Sequence, residues 1–171
     1  MPDAIAYGSG SNGFVVARNL NPKLVSISSL APLGRETRKH PPAQIRKLAE
    51  SLDRFGFVLP ILVDGESHVV AGWGVVLAAR RLGLDEVPAV IVSDLGETEL
   101  RLLRLALNRL AEDSSWDESV LKLEFDDVLE ISNDIELTAG GFEMGEIDSL
   151  LSDGIDEEDV LPNVRTRPPR R

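Results

Sequence analysis

The part of this sequence that most restricts the fold is a hairpin that runs directly into a glycine pair and a helix. Two short apolar stretches, Pro60–Val63 and His68–Ala71, are separated by Asp64-Gly65-Glu66-Ser67, a composition typical of a tight turn. Gly72-Trp73-Gly74 follows at once and precedes a helical pattern over Val75–Leu82. The chain must therefore bring a strand end, a sharp turn and a helix start to one point.

A strand and an amphipathic helix are predicted before this hairpin. The strand is the alternating, β-branched stretch Leu24–Ser28. The helix opens at a Pro-Pro pair and carries apolar residues at helical spacing on one face, namely Ile45, Leu48, Ala49, Leu52 and Phe55. Gly56 ends this run.

After the hairpin and its helix, the pattern predicts one buried strand and then helices only. The strand is Val87–Val92, and the helices are Thr98–Leu110, a segment from an N-cap near Ser115–Glu118 to Glu130, and Glu143–Leu151. Strands gathered early and helices gathered late are typical of an α+β fold. We expect a small mixed sheet with packed helices, followed by a short helical extension.

Composition excludes several classes of chemistry. The 171-residue chain has no cysteine, so disulfides, thiolate metal sites and cysteine catalysis are excluded, and a reducing cytoplasm is the expected location. No apolar run approaches the roughly 20 residues that a membrane span needs. His40 and His68, the two histidines, do not form a zinc pattern, and we expect no metal site.

Charge is unevenly distributed along the sequence. The formal net charge of −11 argues against a protein that binds nucleic acid over its whole surface. Residues 35–56 nevertheless carry six Lys or Arg against three acids, and residues from 161 onward carry four arginines and no acid. Residues 134–159 hold ten acids without the spacing of a calcium loop, and they are read as a solvated acidic face. Contacts to a polyanion are therefore expected near Arg35–Arg54 or the tail.

The Gly72-Trp73-Gly74 junction has two interpretations. A helix start with free N–H groups and a positive dipole end, approached closely by glycine backbone, is an arrangement that suits phosphate. A tight strand-to-helix turn without any ligand would carry the same residues. The residues alone favour the turn without a ligand.

Several ordered motifs also carry a resemblance to a known family. These are Phe55–Asp64, Val69–Gly72, Ala78–Leu84 and Glu86–Val90. They resemble the ParB N-terminal domain, the fold shared by plasmid and chromosome partition proteins and sulfiredoxin. Further stretches are similar to a phage-like or DNA-methyltransferase-linked branch, namely Leu107–Glu112, Trp116–Glu118, Leu137–Thr138, Gly141–Phe142 and Glu146–Asp148.

The resemblance and the composition of the two ends together predict a division of the chain into four parts. These are a flexible N-terminal arm (1–22), a ParB-like domain (23–112), a helical extension (113–152) and an acidic, then Arg- and Pro-rich, tail or linker (153–171).

The resemblance also implies a nucleotide site, and this chain departs from it. Partition proteins carry Gly-Glu-Arg-Arg where this sequence has Gly72, Trp73, Gly74 and Val75, so the Glu and both Arg are missing. The His and Arg of the methyltransferase-linked branch are missing too. Charge-assisted bonds from Arg are roughly twice as strong as neutral ones. A nucleoside triphosphate with magnesium is therefore expected to bind weakly or not at all.

Three further residues are candidates for the same site. Trp73 either stacks on a nucleobase or plugs the empty phosphate cleft, and we slightly favour the plug. Asn108 matches an Asn that helps to position nucleotide or metal in the family, or it is a buried amide that caps neighbouring backbone. Arg38 precedes the first helix, where the family has an Arg near the nucleotide or partner, and a solvated basic loop is the alternative.

For DNA, we expect phosphate contacts rather than base readout. The candidate residues are the basic ones of the loop and first helix, namely Arg35, Arg38, Arg46, Lys47 and Arg54.

Three functions remain open. The favoured one is a non-catalytic ParB-like module that binds DNA or a partner protein in a partition-like or methyltransferase-linked system. The alternatives are a CTP- or ATP-binding triphosphatase or a nuclease, and a nucleotide-gated clamp in which a homodimer closes. We identify no catalytic residue in the sequence.

Overall fold

The structure is a computed structural model of the whole chain and describes residues 21–132 and 135–152. The predicted arm lies mostly outside the described residues, and the predicted tail lies entirely outside them. The chain divides into two compact units, Met1–Asp113 and Ser114–Arg171. None of the helices in the described ranges is long and apolar enough to cross a bilayer.

In its described residues, 21–113, the first unit contains five strands and three α-helices. In chain order they are β1 (Lys23–Ser26), β2 (Ala31–Pro32), α1 (Pro42–Phe55), β3 (Ile61–Val63), β4 (His68–Ala71), α2 (Trp73–Arg81), β5 (Glu86–Ile91) and α3 (Glu97–Leu110). A short 3₁₀ turn, Ile27–Ser29, separates β1 from β2.

The strands form one mixed sheet in the order β1-β5-β3-β4-β2. β1 pairs antiparallel with β5 and β3 antiparallel with β4, whereas β3 runs parallel to β5 and β2 parallel to β4. The predicted α+β fold with a small mixed sheet is confirmed.

Both faces of the sheet are covered at β4, where the consecutive residues Val69 and Val70 are both buried. Within β4, Val69 belongs to a core cluster that includes Val76 and Ala79 of α2, and Val70 belongs to a second cluster with Leu100 of α3. Adjacent strand residues point to opposite faces. α1 packs against α2.

The turn between β3 and β4 is stabilised by Asp64. One oxygen of this carboxylate accepts the backbone N–H groups of Glu66 and His68, both at 2.8 Å. The other oxygen lies 2.9 Å from Nδ1 of His68. Burial by itself would raise the pKa of Asp64, but these hydrogen bonds and the His68 imidazole together lower it below its usual value.

The second unit is helical in its described residues. It contains α4 (Glu118–Ile131), a 3₁₀ turn (Leu137–Gly140) and α5 (Met144–Ser152). Asp117 caps α4, since its carboxylate accepts the N–H of Val120 at 3.2 Å. α4 and α5 contact each other, and Phe125 of α4 and Ile147 of α5 are buried.

Candidate functional site

A cleft of about 240 Å³ lies at the start of α2. Its walls come from the loop before α1, from α1, from β4 and the first turn of α2, and from α3. All these elements belong to the first unit. Four of the residues predicted for this site line it from α2 and α3, namely Gly72, Trp73, Gly74 and Asn108, and Arg38 lines it from the loop.

Gly72 makes the turn from β4 into α2. Its φ of 96° and ψ of 19° lie in the left-handed region that glycine adopts without strain. A Cβ at this position would stand 2.6 Å from Cγ2 of the buried Ile61. Backbone conformation and packing therefore both require glycine here, whether or not a ligand binds.

The first turn of α2 has backbone N–H groups without helical acceptors. The helix begins at Trp73, two residues earlier than the predicted Val75, and its first helical bond runs from the N–H of Val76 to the carbonyl of Gly72 at 3.1 Å. Gly72 has no side chain with which to cap the turn. The positive end of the helix dipole therefore lies at the cleft.

The space for a side chain at Gly74 is limited by His40 in the loop before α1 and by Leu48 of α1. A Cβ at Gly74 would lie 3.1 Å from Nδ1 of His40 and 3.1 Å from Cδ1 of Leu48. Nδ1 of His40 also lies 3.0 Å from Oε1 of Gln44. Any side chain at position 74 would therefore require His40 or Leu48 to shift by a few tenths of an ångström, so the packing here disfavours residues larger than glycine.

Trp73 is held by the protein rather than open to solvent on both faces. Its ring packs against the core cluster of the sheet, and Cζ of Arg80 lies 5.1 Å from the ring centroid. Arg80 in turn donates to the carbonyls of Ile27 and Leu30 at 3.2 and 3.1 Å. These contacts give Trp73 a packing role, and stacking on a nucleobase stays a hypothesis.

Arg38 and Asn108 meet at the cleft although 70 positions separate them in the sequence. Nη1 of Arg38 donates to Oε1 of Glu112 at 2.7 Å and to the carbonyl of Asn108 at 3.4 Å. The side-chain amide of Asn108 donates to the carbonyl of Arg104 at 2.7 Å. The charge of Arg38 is thus compensated by Glu112 before any ligand arrives.

Arg104 is a cleft residue that sequence reasoning missed. Its Nη1 donates to the carbonyls of Leu33 and Arg35, the latter at 2.7 Å. Its Nε is buried and has no hydrogen-bond partner among the described residues. The available signal was its position one helical turn before Asn108, which places the two side chains on the same face of α3.

The basic residues predicted for DNA contacts do not form one cluster. Arg35 and Arg38 lie in the loop before α1, whereas Arg46, Lys47 and Arg54 are spread along α1. Positions 46 and 54 are eight residues apart, about 12 Å along the helix axis. The acid Glu50 lies between them on the helix, and its Oε1 is 3.8 Å from Nε of Arg46.

Carboxylates and histidines are dispersed in the described part of the chain. No group of three His, Asp or Glu able to hold a metal ion is found within residues 21–132 and 135–152. His40 lies beside Gln44 at the cleft, and His68 pairs with Asp64 at the β3–β4 turn.

Comparison with known proteins places the fold and the family. No family model matches the sequence. The structure is similar to the chromosome-partitioning protein ParB from Caulobacter crescentus complexed with CTP-γ-S, with a TM-score of 0.65, 19% identity and 76% of each chain covered. The same ParB complexed to the centromeric parS site aligns with a TM-score of 0.45 and 20% identity, over 75% of this chain and 69% of that one.

A curated protein also matches the sequence. This is the ParB-like nuclease domain-containing protein YnaK of Escherichia coli strain K12, which is 34% identical over 73 residues, 43% of this chain and 84% of YnaK. The matched share of that relative and the agreement in fold confirm the predicted resemblance. The chain belongs to the ParB-like domain family.

Proposed function

We propose that this chain is a non-catalytic ParB-like binding module that contacts DNA phosphates through its basic loop and α1. In this proposal the cleft at Gly72–Gly74 keeps the backbone part of a phosphate site but binds nucleoside triphosphates weakly. Membership in the ParB-like family and the similarity to a ParB solved with CTP-γ-S support a nucleotide origin for the cleft.

The proposal rests on one observation: the arginines around the cleft are already bonded to other groups of the protein. The α2 residues that line it, Trp73–Val75, contribute no charged side chain. Arg38 is paired with Glu112, and Arg104 donates to two backbone carbonyls. A triphosphate would therefore meet neutral N–H donors and cations that already have partners. Phosphoryl transfer relies on positioned cations and metal ions, so turnover is not expected.

Calorimetry with CTP, ATP, GTP and UTP in the presence of Mg²⁺ tests the nucleotide part. We expect dissociation constants weaker than about 0.1 mM, which corresponds to roughly −5.5 kcal/mol. The variant Val75→Arg adds a cation to the cleft and should improve binding by about tenfold, the effect of one additional charge-assisted bond. Leu77→Arg adds the same charge to α2 at a position that does not line the cleft, and it should have little effect.

Micromolar binding of any nucleotide by the unaltered chain would contradict this part of the proposal. Equal gains from Val75→Arg and Leu77→Arg would show that general charge, rather than the cleft, determines the affinity. Thermal unfolding of each variant establishes that it is folded before its affinity is compared.

The DNA part of the proposal depends on few cations, and this sets its salt dependence. If about four phosphates are neutralised, log K should fall with log salt with a slope near −3.6. Glu50 and Asp53 lie on α1 among the basic residues and should weaken the attraction further. We therefore expect weak binding that does not depend on base sequence.

Fluorescence anisotropy with a labelled duplex, measured between about 20 and 200 mM salt, tests this expectation. Lys47→Gln and Arg54→Gln together should reduce affinity and make the slope shallower by about two. Lys23→Gln is the control, because it removes an exposed charge from β1. A complex that survives high salt, or a strong preference for one sequence, would refute phosphate-only contact.

A nuclease is the second candidate, because the matched relative bears the name of a ParB-like nuclease domain. Incubation of supercoiled plasmid with the purified chain and Mg²⁺ or Mn²⁺ tests it, and we expect no nicking.

Partition-like and methyltransferase-linked settings, and a homodimeric state, are also part of the proposal. The reading frame beyond Arg171 and the mass of the chain in solution test these.

A further inference from the structure

The second unit contains a cavity that the proposed function does not use. It measures about 420 Å³, within the size range of small-molecule and side-chain sites. Its apolar walls include Trp116, Leu121, Phe142 and Leu150, and the acids Glu118 and Glu146 also line it.

Trp116 is the unusual member of this cavity because its ring remains largely in water. The residue is 70% exposed, although its centroid lies only 5.5 Å from that of Phe142. Phe142 in turn meets the buried Phe125 edge to face at 5.1 Å. The aromatic row therefore runs from the core to the surface and presents one indole there. An exposed aromatic side chain beside an apolar cavity is typical of a contact site.

The charge around the cavity favours a cationic occupant. The described residues of the second unit include ten Asp or Glu and a single basic residue, Lys122. Nζ of Lys122 lies 3.4 Å from the carbonyl of Leu151. Acids beside an exposed indole suit a guanidinium, which stacks on aromatic faces and pairs with carboxylates.

We propose that this cavity binds the arginine- and proline-rich segment Pro162–Arg171 of the same chain. That segment lies outside the described residues, and its sequence carries four arginines and no acid. An arginine would lie over Trp116 and pair with Glu118, while proline would contact the apolar wall. The proposal does not depend on nucleotide or DNA binding in the first unit.

The segment is within reach of the cavity. Ser149 and Leu150 line it, and α5 ends at Ser152. The twelve residues from 153 to 164 can span up to roughly 40 Å when extended. A ligand joined to its site by a short linker acts at an effective concentration of order mM. A weak contact, with an intrinsic dissociation constant of about 0.1 mM, would therefore be mostly formed.

Nuclear magnetic resonance of the indole N–H of Trp116 tests the proposal in the 171-residue chain. Comparison with Trp116→Phe assigns the resonance. Replacement of all four tail arginines by glutamine should shift it, and added peptide Pro162–Arg171 should return it to its original position in a saturable, salt-sensitive way. In the unaltered chain the position of this resonance should not depend on protein concentration.

Two variants of the glutamine-tailed chain define the site more closely. Glu118→Gln should weaken peptide binding roughly two- to fivefold, the range expected for one exposed contact. Glu130→Gln removes an equivalent exposed charge from α4 away from the cavity and should change the affinity by less than half as much. Dispersed amide spectra establish that both are folded.

Three results would overturn the proposal. The Trp116 resonance could remain unmoved when the arginines are replaced, or the two glutamate variants could weaken binding equally. A shift that grows with protein concentration would show that the contact joins two copies of the chain.

Discussion

Replacement of Gly72 by alanine measures how tightly the turn between β4 and α2 is constrained. At φ 96° a non-glycine residue carries a strain of about 1–2 kcal/mol. The new Cβ would also stand 2.6 Å from Cγ2 of Ile61, a core residue that is 3% exposed. Forcing an additional carbon into a packed core costs about 1–3 kcal/mol. The free energy of unfolding should therefore fall by roughly 2–5 kcal/mol in urea titrations, with an unchanged m-value.

Gly83→Ala is the matched control for the backbone contribution. Gly83 also has a positive φ, 72°, but a Cβ there would meet nothing within 4 Å. Gly83→Ala should therefore lower the free energy of unfolding only by the backbone strain, about 1–2 kcal/mol. If Gly72→Ala and Gly83→Ala cost the same, the contact with Ile61 does not limit the turn and the reasoning is wrong. Ile61→Ala combined with Gly72→Ala should cost less than the sum of the two, because the clashing methyl is removed.

Three further predictions concern stability. Asp64→Asn should lose the stabilisation that comes from the lowered pKa of Asp64. This contribution is complete above the usual value of 3.8 and disappears as pH falls through the lower folded pKa, so the stabilities of the two proteins should converge in acid. Parallel curves of unfolding free energy against pH would contradict the assignment. Asp117→Ala should destabilise α4 by about 1 kcal/mol through loss of the cap on Val120, as measured by circular dichroism, with Asp117→Asn close to wild type. Arg104→Met should lower the free energy of unfolding by about 2 kcal/mol in urea titrations, because the carbonyls of Leu33 and Arg35 lose their donor. An unchanged midpoint would show that these two hydrogen bonds contribute nothing to stability.

Much of the fold was predictable because local patterns specify its elements. The hairpin strand His68–Ala71 was predicted with the bounds that the structure shows, and the first helix ends before Gly56 as expected. β2 was missed because two residues, Ala31 and Pro32, are too few to show a period, and they pair with β4 only through the finished sheet. Phe55 was placed on the apolar face of α1, but it is 51% exposed because it is the last residue of the helix.

The sequence predicted the backbone turn of the candidate site, but it predicted the side chains around that turn less completely. The glycine turn is a local property, so Gly72 and Gly74 could be recognised from their position between a strand and a helix. Arg104 was missed because its partners, the carbonyls of Leu33 and Arg35, lie about 70 positions away in the sequence. The pairing of Arg38 with Glu112 spans a similar separation.

The order of strands and helices, the location of the turn and the loss of charged residues from the loop were determined by the sequence alone, because they depend on neighbouring residues and their conformational preferences. Only the tertiary structure decided which cations reach the cleft and how many of them are already paired. The same holds for the limited space at Gly74, which is set by His40 in the loop before α1 and by Leu48 of α1. Contacts between distant segments form only after the sheet and helices assemble, and no local pattern encodes them.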